Sequence, residues 1–111
     1  MLELERLKII TVVGKISYIS KLNGYVVVFP YKYSEIIEAV APVVPRTFFV
    51  TVYLNGEKYI IGKRNVYKNT GRNYLLVLPS TLKTVWEKYH RQNIIVLLEK
   101  EETNGSGHAK T

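Results

Sequence analysis

Two stretches of the chain share one order of apolar and polar positions. The first is VVGKISYISKLNGYVVVFPYKYSEIIEAV at residues 12–40, and the second is IIGKRNVYKNTGRNYLLVLPSTLKTVWEKY at residues 60–89. Each begins with two β-branched residues and Gly-Lys, passes through a polar turn to a Tyr and a short apolar run ending in Pro, and closes with a helix-like segment. Such a repeat predicts one domain built from two similar halves that share a core, because a half of about 45 residues cannot bury one alone.

Segments rich in Val, Ile, Tyr and Phe between turn residues predict the strands. They cover residues 9–19, 25–29, 47–54, 57–68, 74–78 and 93–98, with turns at 21–24, 55–56 and 69–72. Gly14 interrupts the first strand, which indicates either a bulge or a close backbone approach. Gly24 and Asn73 both lie six residues before a proline, so we expect left-handed backbone at equivalent hairpin turns, although the ordinary turn preference of Asn and Gly explains them equally well.

The segments after the two prolines have the apolar spacing of amphipathic helices. Counted from Pro30 and Pro79, apolar residues occur at +3, +6, +7 and +10 in both copies. This pattern predicts one helix ending near residue 40 and another over about residues 80–90. The stripe consists of Tyr33, Ile36, Ile37 and Val40 in the first copy and of Leu82, Val85, Trp86 and Tyr89 in the second.

Length and residue usage limit the class of protein. A chain of 111 residues predicts one domain, over residues 1–98, with repeats at about 9–56 and 57–98 and a disordered tail at 99–111. The absence of Cys and Asp excludes disulfides and thiolate metal sites, and it leaves few catalytic sets, so we expect no enzyme, metal, cofactor or small-molecule substrate. No apolar run is long enough for a membrane span, and the first residues do not resemble a signal peptide, so we expect a cytoplasmic protein without membrane contact.

The positive charge is concentrated in the predicted domain. The formal net charge is +7, and residues 6–98 contain fourteen Lys and Arg against four Glu. A surface of this kind predicts a polyanionic partner. The alternative is a generic basic surface that only keeps the protein in solution.

Basic residues around the predicted hairpins are the candidate binding site. Four of them fall within ten residues of the second copy with no acid between them, and an exposed basic hairpin tip can follow phosphates or enter a groove. A solvated charged hairpin is the alternative. The candidates are Lys63, Arg64, Lys68, Arg72 and Lys83 in the second copy, and Lys15 and Lys21 in the first.

Three other groups of polar or aromatic residues receive structural interpretations. Glu38 and Glu87 occupy equivalent helix positions, where solvation or ion pairs with Lys are favoured over a carboxylate pair. Tyr25 and Tyr74 follow the turns, where packing in the sheet is favoured over stacking on bases. For His90 a surface or cap role is favoured over catalysis.

The motifs NGYVVVFP-YKYSEII and GRNYLLVLP-STLKTVW resemble the AbrB/SpoVT swapped-hairpin family over roughly residues 9–98. The resemblance implies an α+β, mostly β fold, in which two tandem β-β-α-β repeats form one barrel-like core, as in the MraZ-type pseudo-dimer. The family usually has Arg or Lys four residues after the proline. Lys83 fills that position in the second copy, whereas Ser34 fills it in the first, and the family's Gly-Asp turn after the helix is absent from both.

The resulting hypothesis is a DNA-binding protein and transcriptional regulator that contacts duplex DNA through basic hairpin tips and helix starts. Self-association of the pseudo-dimer is compatible with this interpretation. The alternative is a non-catalytic structural or protein-interaction module on the same fold.

Overall fold

The described part of the chain folds as a closed barrel of six antiparallel strands with two short helices. The computed structural model describes residues 9–69, 71 and 73–100. The strands are β1 (Ile9–Ile19), β2 (Gly24–Phe29), β3 (Arg46–Leu54), β4 (Glu57–Lys68), β5 (Tyr74–Val77) and β6 (Asn93–Lys100). They follow one another around the barrel as β1-β2-β5-β4-β3-β6, which confirms the mostly β, α+β class.

Alternation of apolar and polar residues places the core inside the ring of strands. Along β1, residues Ile10, Val12 and Ile16 are buried, whereas Thr11, Val13 and Lys15 reach solvent, because successive side chains of a strand point to opposite faces. The strands β3, β5 and β6 add further inward rows to the same cluster. Strand β6 continues to Lys100, two residues beyond its predicted end, and the rest of the predicted tail lies outside the described residues.

Each apolar run ends in a proline that is followed by a 3-10 turn and then a short helix. The turns are Tyr31–Tyr33 and Ser80–Leu82, and the helices are α1 (Ser34–Val40) and α2 (Lys83–Lys88). Helix α2 ends before the predicted residue 90 because the chain turns back there: Arg91 has a φ of 71°, and its N–H donates to the carbonyl of Ile16 at 2.8 Å.

The apolar residues of both predicted helical stripes pack against the barrel, with one exception. Ile37 and Trp86 are fully buried, and the indole Nε1 of Trp86 donates to the carbonyl of Pro79 at 2.8 Å. The prediction for Ile36 was wrong, since its side chain is 38% exposed. A seven-residue helix lying on the barrel buries a stripe narrower than the full apolar spacing.

The two Gly-Lys pairs use glycine for different reasons. At Gly14 the strand runs without a bulge, and a Cβ there would lie 2.8 Å from a ring carbon of Phe29 and 3.0 Å from the carbonyl oxygen of Val28. Close approach is therefore the correct one of the two predicted alternatives. Gly62 has a φ of +93°, and the bulge lies here, because the β3–β4 register shifts between Val50 and Thr51.

In the two hairpin turns, the residues with left-handed backbone lie one or two positions before the predicted ones. Positive φ occurs at Asn23 and Gly71, not at Gly24 and Asn73. Gly24 is already the first residue of β2 and pairs with Ile19, so the reversal is completed one residue earlier. In the second turn the carbonyl of Asn73 accepts the N–H of Asn69 at 2.7 Å.

Candidate nucleic-acid interface

The ladder between β4 and β5 is short, and the two strands part soon after the hairpin turn. Their described pairs are Tyr67 with Leu75 and Lys68 with Tyr74, whereas β1 and β2 form five consecutive pairs. A cleft of about 330 Å³ occupies the space where the strands separate. We call this space the open seam, and its walls are Thr47, Lys63, Arg64, Asn65, Tyr67 and Val77.

Arg64 is the central residue of this region. It pairs across β3–β4 with the fully buried Phe48, so its side chain leaves the strand on the inward side of the barrel. Its Nε is buried and has no hydrogen-bond partner among the described residues. A buried N–H without a partner costs about 1–3 kcal/mol, and more when the group is charged, so an arginine at this position is not favoured by stability alone.

A second cleft, of about 310 Å³, meets the open seam at Arg64 and at Val77. One wall is the turn between β1 and β2, through Asn23 and Gly24, and the other is the segment that leads into α2, through Ser80 and Lys83. The indole of Trp86 packs beneath this cleft, which holds α2 against the barrel. A hairpin tip of the first copy and a helix start of the second therefore lie on the same cleft.

Three predicted site residues come together around these adjoining clefts. Lys63 and Arg64 line the open seam, and Lys83, the exposed first residue of α2, lines its neighbour together with Arg64. None of the described residues that line either cleft is acidic. The described walls of the two clefts thus combine three cations with no carboxylate, and this favours an anionic ligand.

Lys68 is separated from this group and is engaged with the first copy. Its ammonium lies 3.4 Å from Oε2 of Glu38 on α1, and the Tyr74 hydroxyl donates to the same oxygen at 2.6 Å. The side chain of Lys68 remains 54% exposed, so the pair is a surface contact of small energy. The interpretation of Glu38 as an ion-pair partner of Lys is confirmed.

The same contacts shift two pKa values in opposite directions. The hydrogen bond from Tyr74 lowers the pKa of the Glu38 carboxyl, burial opposes this, and the neighbouring Lys68 adds to the lowering. Burial raises the pKa of the Tyr74 hydroxyl, and its hydrogen bond to Glu38 raises it further. Tyr74 is 1% exposed, so packing is its role here, as predicted.

The remaining predicted residues are spread over other parts of the barrel. Lys15 is exposed on β1, opposite Val28, and lines a third cleft at the other end of β2. Lys21 is exposed in the β1–β2 turn and lines none of these three clefts. Arg72 lies outside the described residues.

Arg46 was not predicted from the sequence, although it resembles Arg64 in its setting. Its Nε is also buried without a hydrogen-bond partner in the described chain, and its guanidinium carbon lies 5.6 Å from the centre of the Tyr74 ring. It pairs with the buried Val66, so both arginines occupy inward positions of their strands. A cation at an inward-facing position interrupts the alternation of apolar and polar residues along a strand. This interruption is visible in the sequence and could have identified both arginines.

A metal-binding group of side chains and a membrane-spanning helix are both absent from the described residues. No three His, Cys, Asp or Glu side chains there are grouped so that they could hold a metal ion. No helix in the described part of the chain has the length and apolar character needed to cross a membrane.

Comparisons with known proteins do not assign the chain to a family. No protein-family model matches the sequence, and neither curated proteins nor solved structures include a significant match. The resemblance to swapped-hairpin proteins therefore rests on the motif residues alone.

Proposed function

We propose that this protein binds double-stranded DNA and regulates transcription, using an AbrB-like fold of two tandem swapped-hairpin repeats. The observation that carries the proposal is the grouping of Lys63, Arg64 and Lys83 around two adjoining clefts whose described walls contain no acid. Lys and Arg contacts to phosphates supply most of the affinity of proteins for DNA.

The order of the strands supports the tandem arrangement. If β1, β2 and β3 are exchanged with β4, β5 and β6, every strand keeps the same two kinds of neighbour around the ring. The last strand of each copy pairs with the first strand of the other, β3 with β4 and β6 with β1. Neither copy closes a barrel by itself, and this is the interleaving that a swapped-hairpin pseudo-dimer requires.

The differences between the copies indicate which half binds. Aligned at the Gly-Lys pairs, the fully buried Ile16 corresponds to Arg64, and aligned at the prolines, Ser34 corresponds to Lys83. Both changes add a positive charge, and both added charges line the same cleft. The duplex backbone would therefore lie across the second copy, with Lys21 on the adjoining hairpin tip and Lys15, Lys68 and Arg72 as outlying contacts.

The test is a salt titration of binding to a fluorescent random-sequence duplex, measured by anisotropy. About five phosphate contacts give a slope of log K against log salt of roughly −4 to −5. The double variant Arg64→Ile, Lys83→Ser, which copies the first repeat, should make this slope shallower by about 2. Selection from a random duplex pool would then test for the sequence preference that a regulator needs.

A matched control separates the clefts from overall charge. Lys58→Ile combined with Lys88→Ser removes the same charge from exposed positions that line neither cleft. The control should keep nearly all of the slope. Equal losses in both double variants would assign binding to net charge alone, and no binding at low salt would overturn the DNA proposal.

One observation favours the second candidate, a protein-interaction module. Val13, Ile95 and Tyr53 lie side by side across β1, β6 and β3, and each is between 38% and 47% exposed. An apolar row of this kind suits contact with another protein or a second copy of the chain. Sedimentation of the wild type and of Ile95→Lys over a concentration series tests whether two copies associate through this row. A wild-type protein that stays monomeric at all concentrations would exclude self-association.

A further inference from the structure

The first copy contains a cleft of different character at the end of β2. Its volume is about 550 Å³, within the range of about 300–1,000 Å³ that is usual for small-ligand sites. It shares no lining residue with the two clefts at Arg64. The cleft therefore lies apart from those two clefts, and Lys15 is the one residue that it shares with the outlying contacts of the proposed duplex site.

One wall of this cleft is an exposed aromatic ring on a fixed backbone. Tyr31 is 61% exposed, although a tyrosine ring is ordinarily packed against other side chains. Its carbonyl accepts a hydrogen bond from the Ser34 hydroxyl at 2.7 Å, and the 3-10 turn Tyr31–Tyr33 sets the direction of the chain. The ring is thus presented from a defined backbone position.

The neighbouring tyrosine is held against the barrel. The Tyr33 hydroxyl accepts the N–H of Val13 at 3.2 Å. Val13 precedes Lys15, the first residue of β1 that pairs with β2. The ammonium of Lys32 lies 5.3 Å from the centre of the Tyr33 ring. These contacts place one cation and two aromatic rings on the same short turn.

The rest of the wall combines a second cation with amide and apolar groups. Lys15 faces the cleft from β1, and Asn73 and Asn93 supply amide donors and acceptors. Val28 and Pro30 supply apolar surface, and none of the described lining residues is acidic. The cleft therefore suits a ligand with a planar ring for Tyr31, an anionic group for the lysines and hydrogen-bonding edges for the amides.

We propose that this cleft binds one unpaired nucleotide, with its base stacked on Tyr31 and its phosphate between Lys15 and Lys32. Nucleic-acid bases stack on aromatic side chains without regard to sequence, and lysines pair with phosphate as point charges. The nucleotide has two sources with the same chemistry, a free mononucleotide or an unpaired residue in a single strand. Fully paired duplex is not a ligand of this cleft, because its bases are stacked within the helix.

Calorimetric titration with adenosine 5′-monophosphate and with a short oligothymidine tests the proposal. Tyr31→Ala should weaken binding of whichever ligand is recognised by about 5- to 100-fold, the range expected when base stacking is lost. Tyr31→Trp should retain binding, and Lys32→Met should weaken it. Tyr18→Ala is the matched control, since it removes a partly exposed tyrosine that lines none of the three clefts.

The two ligands distinguish the sources, and further measurements can overturn the inference. Binding of the mononucleotide alone assigns the cleft to free nucleotides, whereas binding of the oligomer alone or of both assigns it to unpaired strands. No binding of either ligand, or equal affinities in wild type and Tyr31→Ala, refutes a nucleotide site. Inorganic phosphate that binds as tightly as the mononucleotide refutes the role of the base. Affinity for blunt duplex should not change in Tyr31→Ala, so the duplex proposal stands or falls separately.

Discussion

The two hairpins of the barrel have the same apolar pattern and close differently. In the first, β1 and β2 form five pairs over a fully buried Ile16. In the second, β4 and β5 form two pairs among the described residues and then part beside Arg64. One position thus completes a core in one half and borders a charged cleft in the other, so the same strand order accommodates an apolar or a charged residue there.

The largest effect is expected when the charge of the second hairpin is placed in the first. Ile16→Arg puts a guanidinium at a position with 0% exposure that lines none of the three clefts described above. Burying an unpaired charge should lower the free energy of unfolding by at least about 3 kcal/mol, or prevent folding. Urea denaturation followed by circular dichroism measures this. Ile16→Val, which should cost about 1 kcal/mol, is the control for size, and an Ile16→Arg variant as stable as that control would contradict the comparison.

The two Gly-Lys glycines should differ in how they respond to alanine. Gly14→Ala forces a Cβ against Phe29 and the backbone of Val28, so overpacking should cost about 2–3 kcal/mol. At Gly62 nothing lies within 4 Å of the added carbon, and only its φ of +93° opposes alanine, at about 1–2 kcal/mol. Parallel urea titrations give both values, and Gly62→Asn should recover part of the loss because Asn tolerates left-handed backbone. A smaller cost at Gly14 than at Gly62 would show that the first hairpin relaxes around the methyl group.

The reverse exchange, Arg64→Ile, should separate stability from binding. Replacing a partly buried, incompletely hydrogen-bonded arginine by an apolar residue should leave the free energy of unfolding unchanged or raise it by about 1 kcal/mol. Duplex affinity should fall by about tenfold at moderate salt, because one charge at the junction of the two clefts is lost. Denaturation and anisotropy on the same sample measure both. A variant that is clearly destabilised would identify Arg64 as a structural residue, since its Nε would then have had a stabilising partner.

The sequence alone predicted much of this comparison, but only where the signals were local. Segments rich in β-branched and aromatic residues between turns placed β1 and β4 at their observed bounds, and the stripe after Pro79 placed Trp86 in the core. The correspondence of Ile16 with Arg64 is also visible in the repeat. The cleft beside Arg64 could not be predicted from the repeat, because it depends on how far β4 and β5 remain paired. The extent of that pairing is decided by packing between distant segments.

Contacts between the two copies could not be predicted from local sequence patterns, for the same reason. Lys68 and Glu38 lie 30 residues apart, and no periodicity relates a hairpin end to a helix of the other copy. The cleft at Tyr31 arises because Asn73, from the second hairpin, faces the turn that follows β2. Proximity of this kind follows from the ring order of the strands and not from spacing along the chain.

The smallest expected effect concerns the tyrosines that follow the two turns, Tyr25 and Tyr74. Tyr74 donates to Glu38, whereas Tyr25 packs against His90 at a ring distance of 5.7 Å and has no hydrogen bond to a carboxylate within the described chain. The pKa of Glu38 is held below its ordinary value of 4.5, so folding gains stability that is present above that pH and is lost as the pH falls through the lower folded pKa. The raised pKa of Tyr74 has the opposite sense: its contribution is present below about pH 10 and is lost as the pH rises through the folded pKa.

Tyr74→Phe should therefore flatten the acid limb of the stability profile between about pH 5 and pH 2, because the largest cause of the lowered Glu38 pKa is removed. Tyr25→Phe should leave that limb unchanged. Thermal unfolding at a series of pH values measures both, at low ionic strength so that the exposed Lys68–Glu38 pair is least screened. Equal acid limbs in the wild type and Tyr74→Phe would mean that the neighbouring cations, Lys68 and Arg46, hold Glu38 ionised without the tyrosine. Lys68 would then be committed to α1, and the hairpin end that it occupies would have to be removed from the proposed DNA contacts.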